Sequence, residues 1–243
     1  MSSTRSPSPP GPATELLIIS HGSPSEPAPQ EAFVRELAAR VAEVSGAEVR
    51  GATLAAEGAL EAAVEGLSHP LVFPHFMADG WFVATNMQKR LAKAGLAEWT
   101  TLTPLGLLSD LSALALEHLR RAMQESGLPV GETTLIVAAH GSPSNRRPAE
   151  VTERFAAQLR AAPDFAAVRT GYVDEEPSIE DAASVEGPAL VLPFFAAEAG
   201  HVLMDLPEGL EAAGFDGLVL PPIGTWEEIP RLIAAHLRER AAA

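Results

Sequence analysis

Two histidines and a short acidic run are the residues of this sequence best suited to chemistry. His140 opens His140-Gly141-Ser142-Pro143, His201 follows Gly200, and Asp174, Glu175 and Glu176 stand between them in the chain. A neutral imidazole ligates divalent transition metals such as Co2+, Fe2+ and Ni2+, and it accepts protons near neutral pH. A carboxylate beside two imidazoles adds negative charge and a second proton acceptor. Each of the three groups follows an apolar run short enough for a buried strand, at 135–139, 168–173 and 189–194. Open α/β sheets bind ligands at the carboxyl ends of their strands, so the loops after these runs can converge at one edge. Read alone, His140 also suits a turn cap with Ser142. Two histidines and an acidic cluster at three strand ends argue for a site.

The elements that must position these groups occur twice. Leu16-Leu17-Ile18-Ile19-Ser20-His21-Gly22-Ser23-Pro24-Ser25 anticipates Leu135-Ile136-Val137-Ala138-Ala139-His140-Gly141-Ser142-Pro143-Ser144. The landmark pairs 21/140, 74/193 and 104/222 keep offsets of 119, 119 and 118 residues, the signature of a duplication. In the first half, strands are expected at 16–20, 49–54, 70–76 and 99–103, with helices at 30–44, 59–67, 82–94 and 110–125. In the second, strands fall at 135–139, 168–173, 189–194 and 218–221, with helices at 149–161, 206–213 and 229–240. Alternating strands and helices predict an α/β fold of two tandem doubly wound domains with parallel four-stranded sheets, related by a pseudo-twofold axis. The expected boundaries are a Pro/Ser-rich disordered tail at 1–13, domains at 14–128 and 132–243, and a short linker. The cleft between the halves is the expected pocket.

Composition narrows the function classes. Apolar residues make up 47% of the 243, enough for a sizeable core. Cysteine is absent, which excludes disulfides and thiolate metal sites and leads us to expect a reducing cytoplasm. A formal charge of -15 argues against nucleic acid as a partner. No apolar run reaches membrane-span length, and residues 1–13 lack the apolar segment of a signal peptide. His118 and His236 lie on helical patterns and read as structural, while His69, in a Ser-His-Pro turn, reads as solvated.

The ordered motifs resemble those of the class II tetrapyrrole chelatases, the sirohydrochlorin cobaltochelatase and ferrochelatase family. They are His140-Gly141-Ser142, then Asp174-Glu175-Glu176-Pro177-Ser178, then Leu192-Pro193 through Gly200-His201-Val202 to Asp205-Leu206-Pro207, and a closing Pro222-Ile223-Gly224. The resemblance covers 15–243 and matches the long, fused members, which implies a monomer whose halves mimic a dimer. It implies insertion of Co2+ or Fe2+, or of Ni2+, into a reduced tetrapyrrole without a nucleotide. His140 and His201 would bind metal and accept pyrrole protons, with Glu175 preferred over Asp174 as the carboxylate. Such a substrate carries many carboxylates, so an acidic protein must steer it with local cations. Arg146 and Arg147, directly after the His140 loop, are the candidates, ahead of Lys89 and Arg90.

The first half keeps His21-Gly22-Ser23 but shows Ala56-Glu57-Gly58 opposite the acidic run. Gly80-Trp81 stands where Gly200-His201 is expected, with Trp81 a candidate wall for a flat ring. The complete set therefore lies in the second half. A non-catalytic binder of metal or tetrapyrrole is the alternative reading. Phosphohistidine chemistry fits less well, because Gly141 stands where that chemistry usually has Arg.

Overall fold

Burial of β1 (Glu15–Ser20) and β5 (Thr134–Ala139) organises the two halves. Leu16 to Ile19 and Leu135 to Val137 are all fully buried, each aliphatic side chain contributing about 1.5–3 kcal/mol of hydrophobic free energy. The computed structural model describes residues 15–241, without the side chains of His201 and Ala241. The tail expected at 1–13 lies outside the described residues.

The first half continues with α1 (Pro27–Ser45), β2 (Glu48–Thr53), α2 (Ala59–Val64) and β3 (Leu71–Pro74). A π-helical turn, Phe82–Met87, leads into α3 (Gln88–Lys93), followed by β4 (Thr100–Thr101) and α4 (Leu111–Ser126). The second half repeats this: α5 (Arg147–Arg160), β6 (Ala167–Tyr172), α6 (Ile179–Ala183), β7 (Ala189–Pro193), a π-helical turn His201–Asp205, α7 (Leu206–Ala212), β8 (Leu218–Val219) and α8 (Ile229–Ala241). Both sheets are parallel and four-stranded, ordered β2-β1-β3-β4 and β6-β5-β7-β8. The chain thus leaves β1 to one side and returns for β3 on the other. That reversal places a topological switch point between β1 and β3, and another between β5 and β7.

Strand alternation divides the helices. Leu16 and Ile18 face one way, into a cluster with α1 and α4, while Leu17 and Ile19 face α2 and α3. The first cluster also contains Leu135 and Val137 with side chains of α5 and α8, so the halves share a core between their sheets. Helix α1 packs on α8 and α4 on α5. These are the same pair of helices with the halves exchanged, as a pseudo-twofold relation requires. No helix among the described residues is long and apolar enough to cross a membrane.

Two expectations change. Helix α6 was not foreseen. It is a single short turn whose N-terminus is fixed by a capping box, in which Ser178 accepts from the Asp181 backbone and Asp181 answers at the Ser178 backbone. The pairing of Trp81 with His201 also shifts by one. The two π turns begin at Phe82 and His201, which keep the 119-residue offset, so Phe82 is the counterpart of His201.

Candidate active site

His140 leaves the end of β5, beside the second switch point, and Gly141 makes the turn that releases it. Gly141 has φ +70°, and a Cβ there would stand 2.9 Å from the Glu175 side chain and 3.0 Å from the Tyr172 Cβ. Only glycine relieves both the left-handed backbone and the contact. Gly22 does the same in the first half, at φ +75° with a would-be Cβ 2.7 Å from Thr53.

The ring of His140 is about half exposed, and its Nδ1 lies 3.2 Å from Asp174 Oδ2 and 3.1 Å from the Gly141 carbonyl. In the neutral tautomer whose proton is on Nδ1, that proton would face both acceptors, and the lone pair that binds a metal or takes a proton would lie on Nε2. His21 Nδ1 likewise sits 2.7 Å from the Gly22 carbonyl. Asp174, rather than Glu175, is thus the carboxylate that reaches the imidazole. Glu175 turns toward the loop, where its Oε1 accepts the Ser142 N–H at 3.1 Å. Glu176 Oε2 accepts from the Ser178 backbone.

Beneath the loop, Tyr172 and Thr170 both donate to Glu153 Oε1. Burial, then the Glu153 charge, pushes the Tyr172 phenol well up, so this ring acts as a donor and a packing surface.

His201 heads the π turn after β7, the strand hydrogen-bonded beside β5. Its side chain lies outside the described residues. In the first half, Phe82 meets His21 edge-on, with ring centroids 4.4 Å apart and planes at 82°. Positions 140 and 201 are the equivalent pair, on equivalent strand ends. Among the described residues no three metal-ligating side chains converge. The π turns and the residue before the first carry apolar side chains into solvent: Trp81, Phe82, Leu203 and Met204 are all exposed. π turns are rare and concentrate at functional sites.

Arg146 is exposed just before α5. Arg147 crosses between the halves to Asp79, with Nε–Oδ1 and Nη2–Oδ2 distances of 2.5 and 2.9 Å. That bidentate pairing holds the Asp79 carboxyl below the usual carboxylate range. Lys89 and Arg90 lie on α3, Lys89 exposed. Of the other histidines, His118 stacks on Trp226 at 3.8 Å, across the halves, and His69 is exposed near Glu98. Sequence reasoning missed Asp79, Phe82 and the apolar tips Leu203 and Met204. For Phe82 the signal was present, because a strict offset of 119 from His201 leads to it.

The family model that matches the chain is CbiX, over residues 134–240. The solved structure of CbiX, the terminal enzyme for biosynthesis of siroheme in denitrifying bacteria, is 44% identical, with a TM-score of 0.84 over 93% of this chain and 98% of its own. The chain belongs to the CbiX family. Two more distant structures share the CbiX fold. SirB from Bacillus subtilis with Fe3+ is 17% identical, with a TM-score of 0.73 over 95% of this chain and 96% of its own. DR2241 from Deinococcus radiodurans, a multi-domain protein with structural similarity to chelatases, is 21% identical, with a TM-score of 0.70 over 92% of this chain and 54% of its own. No curated protein matches.

Proposed function

We propose that this CbiX-family chain inserts a divalent metal, Co2+ or Fe2+, into sirohydrochlorin or a closely related reduced tetrapyrrole, without a nucleotide. The observation that carries this reading is the imidazole of His140, its Nδ1 3.2 Å from Asp174, at the end of a strand paired with the one that leads to His201. The 44% identity to an enzyme of siroheme biosynthesis supports the same substrate class.

The reaction needs few parts. The metal must be delivered to the ring face, and two pyrrole N–H protons must leave. Here the metal and the macrocycle are substrates. His140 Nε2 and His201 bind the metal and take protons in turn. Asp174 keeps the His140 ring oriented and balances the charge it gains on protonation. Glu175 fixes the loop through Ser142 and adds its negative charge beside the metal. Trp81, Phe82, Leu203 and Met204 offer apolar surface to the flat macrocycle, and Arg146 and Arg147 bind its carboxylates.

The test is an anaerobic absorbance assay with sirohydrochlorin and Co2+ or Fe2+. Metal-dependent conversion above the uncatalysed rate is the expected result. Tight binding of tetrapyrrole or metal without turnover would instead support a carrier. Changing Arg146 and Arg147 together to Ala is expected to raise KM more at low salt than at high salt, because ions already screen the attraction at high salt. A KM unchanged at every salt concentration would remove the arginines from the account.

A further inference from the structure

The Asp79–Arg147 pair occupies the position in which the proposed function needs a free guanidinium. Asp79 lies in the loop between β3 and the first π turn, and Arg147 opens α5 on the other half. The guanidinium offers Nε and Nη2 to Asp79, while Nη1 lies 3.7 Å from Glu150. Bidentate binding through one edge is how arginine also holds a ligand carboxylate.

The pair is not a buried structural bridge. Side-chain exposure is 33% for Arg147 and 40% for Asp79, and ion pairs this open contribute little net stability. It is also one-sided. The residue equivalent to Arg147 in the first half is Ala28, and Glu198, the equivalent of Asp79, receives Gln30 on its backbone carbonyl instead. The crossing with a carboxylate–guanidinium pair is the one beside His140. Gly80, next to Asp79, lies against Asn145 of the His140 loop.

Resting on the proposed function, we propose that Asp79 is an internal stand-in for a substrate carboxylate, seated on Arg147 in the free protein and displaced when an acidic side chain of the tetrapyrrole enters the cleft. The exchange replaces one carboxylate by another, so the guanidinium never stands desolvated and unpaired. It also selects against ligands with few carboxylates, because each must first compete with a tethered one.

The experiment is titration of metal-free sirohydrochlorin into the full chain, read by its absorbance change, with thermal unfolding to show that each variant is folded. Asp79→Asn, and Asp79→Ala as a second variant, are expected to lower Kd by about two- to fivefold, the scale of an open ion pair. Arg147→Ala is expected to raise Kd, and adding Asp79→Asn to it should bring no gain, since the seat is gone. Glu150→Gln removes the same charge without freeing the bidentate edge, and is expected to gain less than Asp79→Asn. An unchanged or raised Kd in both Asp79 variants would overturn the proposal alone, as would a gain that persists without Arg147. A wild-type chain that binds no tetrapyrrole would overturn the proposed function, and this inference with it.

Discussion

At the scale of single residues, the orientation of the His140 ring depends on the acceptors around its Nδ1. Asp174 and the Gly141 carbonyl both face Nδ1, so loss of Asp174 removes one of the acceptors that orient the ring. Removing such a partner of a metal-binding histidine typically costs 10- to 100-fold. Asp174→Asn is therefore expected to lower the initial chelation rate by about that factor, with Glu175→Gln costing less because its contact is with the loop backbone. Equal losses for the two, measured at equal folded concentration, would mean that Asp174 does not orient the ring. The sequence made the histidines and the acidic run legible because each follows a strand. It could not choose among three adjacent carboxylates, since that depends on how the turn after β6 twists. The Arg147–Asp79 pair was out of reach for a different reason: its partners are 68 residues apart, on different halves.

At the scale of elements, the strand-end loops are held by glycines in the left-handed region. Gly141→Ala forces a side chain into φ +70° and within 2.9 Å of Glu175. The left-handed backbone alone costs about 1–2 kcal/mol. Both a lower Tm and a loss of chelation are expected, and the loss should exceed what the unfolded fraction explains, because the same turn aims His140. Activity that simply tracks the folded fraction would show that the loop tolerates the shift. Periodicity revealed the strands and the longer helices to within a few residues. It missed α6, five residues long and set by the Ser178–Asp181 capping box rather than by an apolar stripe. It also paired Trp81 with His201, because the Gly-x dipeptide outweighed the constant offset.

At the scale of the molecule, the halves are bound by a common core and by contacts that cross it. His75, buried at the end of β3, donates from Nε2 to the Ala196 carbonyl of the other half at 2.7 Å, and its Nδ1 finds no partner among the described residues. Burial lowers its pKa to about 4, against the backbone hydrogen bonds that favour the charged form. Between that value and the ordinary 6.5, the unfolded chain holds a proton that the folded one does not. Stability therefore falls as pH drops through this window, by at most about 3 kcal/mol from this group. His75→Phe, matching Phe194 at the equivalent position, is expected to flatten the difference between urea unfolding at pH 7 and pH 5. An identical pH dependence would clear His75 of the effect. The larger question is which half works. The first retains His21 but sets Phe82 beside it, where the second has His201. The most direct measurement is the initial rate of metal insertion for His21→Ala, His140→Ala and His201→Ala at equal folded concentration. His140→Ala and His201→Ala are each expected to lose most of the rate, and His21→Ala to retain most of it. An inactive His21→Ala beside an active His201→Ala would place the working site in the first half.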